Sequence, residues 1–239
     1  MNFTVRPALL CQALVAWAFF LVVLGSVAHY LITNVVPGMD EVLGRGLGKA
    51  LKVVGLHGEP ALQHWYSALA LLVCSIILAQ IAILHRRRGE AAGGWVLGCV
   101  LFAFLATDEA IQIHEGVLRP ARQWVGANFD GQVAWMLFAL VIAAIFIVLA
   151  IYGMYFLKGV EKRTRTRFLV AGGVFFAGAI GIDMLTGALL PGGDIATLAY
   201  ILSMAVEEML EMTAVIMMLY ALLAYVEEQF GSVTIAIAE

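Results

Sequence analysis

A chain of 239 residues that is 63% hydrophobic and only 13% charged, with a mean hydropathy of +0.96, fits no soluble class. The net charge of −3 says little by itself, because in such a chain the local sign of charge matters more. The expectation is an all-α, polytopic membrane helix bundle. It has six transmembrane helices and a short interfacial amphipathic helix, folded as a single integral membrane domain over residues 1–239.

The first span is expected at about residues 9–32. Arg6 precedes it, and although Ser26-Val27-Ala28 resembles a signal-peptidase site, the apolar stretch is too long for a signal h-region and reads as a retained helix. Between Val35 and Pro60, the bases Arg45, Lys49 and Lys52 recur at helical spacing opposite Leu43, Leu47, Leu51 and Val54. That pattern predicts an amphipathic helix lying at the lipid headgroups. The second span, at about 62–84, ends in His85-Arg86-Arg87-Arg88.

The third span, at about 94–118, carries Asp108-Glu109-Ala110-Ile111-Gln112-Ile113-His114-Glu115. The fourth, at about 133–157, is uninterrupted and reads as scaffold; the bases Lys158, Lys162, Arg163, Arg165 and Arg167 follow it. The fifth, at about 168–190, contains Asp183 and leads into Pro191-Gly192-Gly193-Asp194, where Asp194 is a candidate helix N-cap. The sixth, at about 197–225, holds a second acidic knot, Glu207-Glu208-Met209-Leu210-Glu211.

Placing both termini in the cytoplasm puts nine bases inside and five outside. The positive-inside rule therefore favours this orientation, in a bacterial inner membrane. At about 1.5 Å per residue, the polar groups of spans three, five and six, together with His29, His64 and His114, all fall in the outer half of the bilayer. Asp108, Gln112 and Glu115 share one helical face, as do Glu207 and Glu211, and Glu208 and Glu211.

An ionisable residue at bilayer depth costs roughly 2.5–3.5 kcal/mol on insertion scales. Asp108, Glu109, Glu115, Asp183, Glu207, Glu208 and Glu211 cannot all ionise together in such a medium. They must protonate, pair with cations or bind metal. The spans contain essentially no Lys or Arg, and two divalent cations would neutralise four carboxylates. Carboxylates with one or two imidazoles on antiparallel helices suit a dinuclear metal site, iron first, with manganese, zinc or copper as alternatives. The candidate ligands are Asp108, Glu109, His114, Glu115, Glu207, Glu208 and Glu211, with His64 and Asp183 as further candidates. Spans three and six are expected to be neighbours so that their acidic knots share a counter-charge.

Other features have plainer readings. His29 reads as an interfacial polar residue, and His64 beside Trp65 and Tyr66 also fits an aromatic belt. Cys11, Cys74 and Cys99 lie in apolar runs without CxxC spacing and read as small buried hydrophobes. Met204, Met209, Met212, Met217 and Met218 read as packing, although Met spacing of this kind also suits Cu(I).

The motifs at 108–115 and 207–212 resemble the signature helices of a group of small bacterial six-span membrane proteins. In that group an Asp-Glu…His-Glu helix is paired with a later Glu-Glu-x-x-Glu helix. The likeness covers motif order, spacing and hydropathy, and implies no activity. The ligand set also resembles ferritin-like di-iron carboxylate proteins, which implies iron chemistry. The chain departs from their pattern, because it has no Glu-x-x-His.

The leading expectation is a metal-dependent membrane oxidoreductase acting on oxygen or on a lipid-soluble substrate such as a quinone. Membrane lipids are its surroundings, and no nucleic-acid partner is expected. Two alternatives stand beside it. One is a proton- or cation-coupled transporter, against which the lack of matched broken helices and inverted repeats counts. The other is a haem protein using two of His29, His64 and His114 as axial ligands.

Overall fold

The computed structural model describes residues 2–4, 6–39, 41–56, 61–113, 155–190, 195–231 and 234–236, with positions 124, 127, 128, 151 and 153. Its first helix, α1 (Pro7–Tyr30), opens with proline at its first turn, where the missing N–H costs nothing. The helix then loosens into a π turn at Leu31–Val35 and tightens into a 3-10 turn at Val36–Gly38. The second helix, α2 (Glu41–Lys52), is the expected amphipathic helix. Glu41 lies in its first turn and Lys49 and Lys52 in its last, which matches the helix dipole at both ends. Beyond it the chain folds back onto α1, burying Leu56 to 3% exposure.

Two further helices run side by side: α3 (Leu62–Arg87) and α4 (Gly93–Ile111). Ser75 on α3 donates a 2.9 Å hydrogen bond to the Cys99 carbonyl on α4, relieving one polar group inside the pair. Then come α5 (Lys162–Phe176), a π segment at Ala177–Ile182, and α6 (Asp183–Leu189). The last helix, α7 (Leu198–Phe230), has 33 residues. Outside the helices, two three-residue strands pair antiparallel, β1 (Asn2–Thr4) with β2 (Thr234–Ala236).

The helix α7 is the axis of the bundle, because α1, α3 and α5 all pack on it. Its buried Met212, Ile216, Leu219 and Leu222 meet Leu21 of α1, Ile81 of α3, Trp95 of α4 and Phe168 of α5 in one core. The outward faces are apolar instead of polar: Trp17, Phe19, Leu69, Val100, Phe104 and Leu202 are all more than half exposed. Apolar surface on this scale has no stable place in water. Five described segments are long and apolar enough to cross a membrane: Pro7–Gly38, Leu62–Arg87, Gly93–Ile111, Lys162–Thr186 and Leu198–Phe230. The chain is an all-helical membrane bundle by this reading, and the expected fourth span at 133–157 lies almost wholly outside the described residues.

The structure corrects several local expectations. The third span was expected to stay helical to Leu118, but α4 ends at Ile111 because Gln112 turns left-handed at φ 53°. A non-glycine residue pays for that conformation in steric strain. Its N–H closes on the Asp108 carbonyl at 2.6 Å, and Ile113 is helical again. The expected shared face of Asp108, Gln112 and Glu115 is interrupted at Gln112, and Glu115 lies outside the described residues. The spans are also not free of interruptions, as the π segments at Leu31–Val35 and Ala177–Ile182 show. Finally, the N-cap of α7 is Thr197, whose Oγ1 accepts the Tyr200 N–H at 3.3 Å; Asp194 lies outside the described residues.

At the end of the bundle marked by Arg86–Arg88, aromatic rings and charges interlock. The His85 ring stacks on Trp95 at 5.6 Å, and Trp95 meets Phe156 edge-on at 5.0 Å and Tyr225 at 4.7 Å. Nδ1 of His85 lies 2.6 Å from a Glu90 carboxylate oxygen and Nε2 lies 2.8 Å from the Tyr225 hydroxyl. Nearby, Glu228 accepts from Arg167 at 3.0 Å and pairs with Arg163 at 3.4 Å.

Candidate carboxylate–histidine site

The opposite end of the bundle gathers the acidic groups. Glu208 stands on α7 about three turns from its start, where α3 begins and α4 ends. Its side chain is 18% exposed, and Oε1 lies 4.0 Å from Nε2 of His64 in the first turn of α3. Glu109, in the last turn of α4, and Glu207 act on Glu208 as like charges. Three helices thus present ionisable groups to one place. Side chains of α4 and α7 also meet directly, at Trp95 and Tyr225, and α3 packs against both helices.

The second acidic group on α7 looks elsewhere. Glu211 lies one turn beyond Glu208, and its stem rests against the π segment between α5 and α6. Gly178 makes that approach possible. A Cβ at this position would stand 3.0 Å from Leu210 Cβ and 3.2 Å from both the Glu207 carbonyl oxygen and Glu211 Cγ. A widened π turn, common at functional positions, therefore leans on the acidic knot. Asp183, the first residue of α6, follows five positions later.

Imidazole geometry is set by the start of α3. The Ala61 N–H donates to Nδ1 of His64 at 3.3 Å, so one of the orphan donors of a helix start finds its partner in that ring. The adjacent Gln63 is 1% exposed and donates to the carbonyls of Leu21 at 2.9 Å and Val54 at 3.0 Å. Its Oε1 is buried and has no hydrogen-bond partner. Gly25 of α1 leaves room for this amide, since a Cβ there would overlap Gln63 Nε2. Sequence reading gave Gln63 no role, because its partners are backbone carbonyls brought in from two distant segments.

His29 is packed inside the protein: it is 2% exposed, and Nε2 lies 2.9 Å from the Ile195 carbonyl oxygen. Asn34 donates to the neighbouring Ala196 carbonyl at 3.2 Å. The end of α1 thereby fixes the segment that enters α7. Burial follows because Gly55, in the chain returning from α2, packs over the His29 backbone.

Of the candidate ligands, Asp108, Glu109, Glu207, Glu208 and Glu211 occupy α4 and α7, and His64 joins Glu208. The expectations for His114 and Glu115 lie outside the described residues. Among the described residues alone, no group of three or more His, Cys, Asp or Glu side chains stands ready to hold a metal ion. Cys11 and Cys74 are buried and unoxidised, as small hydrophobes would be, and Met212 is fully buried in the core. A largely apolar cavity of about 680 Å³ opens between α1 and α7, lined by Cys11, Val15, Phe19, Met209, Ile216 and Met217 among others.

Residues 8–226 match the DUF8692 family, a domain of unknown function. The chain belongs to that family. The match spans every described crossing segment but for the outermost turns, so the family domain and the membrane bundle are one unit. No curated protein and no solved structure matches the chain.

Proposed function

We propose that this DUF8692 member is a membrane metalloprotein whose carboxylate–histidine cluster binds divalent metal, with a pair of iron ions as first choice. One observation carries the reading: Glu208 faces His64, Glu109 and Glu207 from three helices, in segments that hold no lysine or arginine at that level. Carboxylates brought together in a low-dielectric medium need a counter-charge, and hard oxygen donors suit iron or manganese. The further ligands we propose are Glu211, Asp108, Glu115 and, as the imidazole, His114, with Asp183 as an additional candidate.

Bound iron would supply redox chemistry on oxygen or on a lipid-soluble substrate. The cavity between α1 and α7 supports the lipid-soluble choice, because it is largely apolar. Elemental analysis with electron paramagnetic resonance on purified protein tests the proposal. About two iron ions per chain are expected. Iron, manganese, zinc and copper all far below stoichiometry in wild type would end it.

The six-span topology belongs to the same proposal. Pairing of β1 with β2 keeps the two chain ends together, and a chain whose ends share one side crosses the membrane an even number of times. Five described segments therefore call for one more crossing, and Val133–Leu157 is the apolar stretch available. The distribution of Lys and Arg favours a cytoplasmic position for both ends, and we read the membrane as a bacterial inner membrane.

A second reading is ion- or proton-coupled transport, in which the same buried carboxylates form a relay or ion site. Cation-dependent flux in proteoliposomes that disappears in Glu208→Gln, with metal analysis negative, would select it.

A further inference from the structure

Whether His64 is a ligand turns on which of its nitrogens carries the proton. The Ala61 backbone N–H can only donate, so Nδ1, at 3.3 Å, must accept. A ring that accepts at Nδ1 is neutral and holds its proton on Nε2. That is the nitrogen turned toward Glu208 Oε1, at 4.0 Å. Ligation through Nε2 would require the proton to move to Nδ1. Two N–H groups would then face each other at the start of α3, and the Ala61 donor would lose its partner.

We propose that His64 serves the carboxylate cluster as a hydrogen-bond donor to Glu208 through Nε2–H, fixed in that tautomer by Ala61, and not as a metal ligand. The inference rests on the site described above and assigns a positioning role within it. A small rotation of the long Glu208 side chain closes 4.0 Å to hydrogen-bond distance. Carboxylates that bind metal are themselves commonly held by such outer donors, which orient the ligating oxygen. The arrangement leaves one Glu208 oxygen for His64 and the other for a cation.

The tautomer can be read without any metal. In full-length protein labelled with ¹⁵N-histidine in lipid nanodiscs, the His64 resonances are assigned by their loss in His64→Gln. The expected result is a proton bonded to Nε2 and an unprotonated Nδ1; a proton on Nδ1 overturns the proposal. A second readout separates positioning from a purely structural role. The carboxyl ¹³C resonance of Glu208, assigned with Glu208→Gln, should shift in His64→Leu and return in His64→Gln, whose amide can still donate. A resonance unmoved in His64→Leu also overturns it. If wild type binds iron, His64→Gln should keep iron within about twofold, whereas a ligand role predicts a loss of tenfold or more. If wild type binds no metal, the metal reading fails and the nitrogen and carboxyl measurements still decide the role of His64.

Discussion

The two ends of this bundle handle charge in opposite ways. At the end marked by Arg86–Arg88, acids meet bases at close range: Glu90 with His85 at 2.6 Å, and Glu228 with Arg167 at 3.0 Å. Aromatic rings seal the spaces between them. At the end marked by His64, carboxylates gather, and among the described residues the imidazole paired with Glu208 is His64, at 4.0 Å. This second end is bordered by a left-handed non-glycine residue and a π segment. Such departures from regular helix are the pattern expected of a functional region.

The largest effect should come from breaking the sealed end. Trp95 is 3% exposed among four ring partners, His85, Phe156, Phe168 and Tyr225, so Trp95→Ala should cost about 3–5 kcal/mol. Thermal unfolding in nanodiscs measures this, and metal content per folded molecule should not change. Next in size is Glu211→Gln, which removes charge and a hard oxygen donor from the other end. Metal affinity should fall about 10- to 100-fold, the range seen when ligand environments are disturbed, while thermal stability holds. Wild-type metal content in this variant would mean that Glu211 is only a polar packing group.

Gly178→Ala sharpens the comparison further. Its Cβ would crowd Leu210, Glu207 and Glu211, costing about 1–3 kcal/mol as an overpacked contact. Here stability and metal affinity should drop together, since the crowded atoms belong to the acidic knot. The smallest effect belongs to Glu228→Gln. That carboxylate is 26% exposed beside Arg167 and Arg163, and losing its charge should cost no more than about 1 kcal/mol. Adding salt should shrink the difference between wild type and variant.

Hydropathy made the large features legible. Long apolar runs located the five described crossings, with ends displaced by up to seven residues, and the charge pattern of Glu41–Lys52 located the amphipathic helix. The acidic knots stood out because carboxylates are costly in apolar runs. Local breaks did not show. Nothing in Ile111-Gln112-Ile113 announces a left-handed residue, since helical periodicity continues through it. The π turn at Ala177–Ile182 is written in small residues that also suit ordinary helix packing. Long-range partners were equally hidden. The partner of His29, the Ile195 carbonyl, lies 166 positions away, and His85 looks like one more member of a basic run until Tyr225 arrives from 140 positions away.

The length of α7 has a consequence for the membrane itself. Its 33 residues extend about 50 Å, against a hydrocarbon thickness of about 30 Å. Neither end is free to slide. Arg88 donates to the Gln229 carbonyl at 3.1 Å and covers the Phe230 ring at 4.2 Å, while His29 and Asn34 hold the backbone at Ile195 and Ala196, just ahead of the helix. A rod longer than its bilayer and fastened at both ends adjusts by tilting. Changing lipid chain length should therefore tilt α7 together with α1 and α3, the helices it is fastened to.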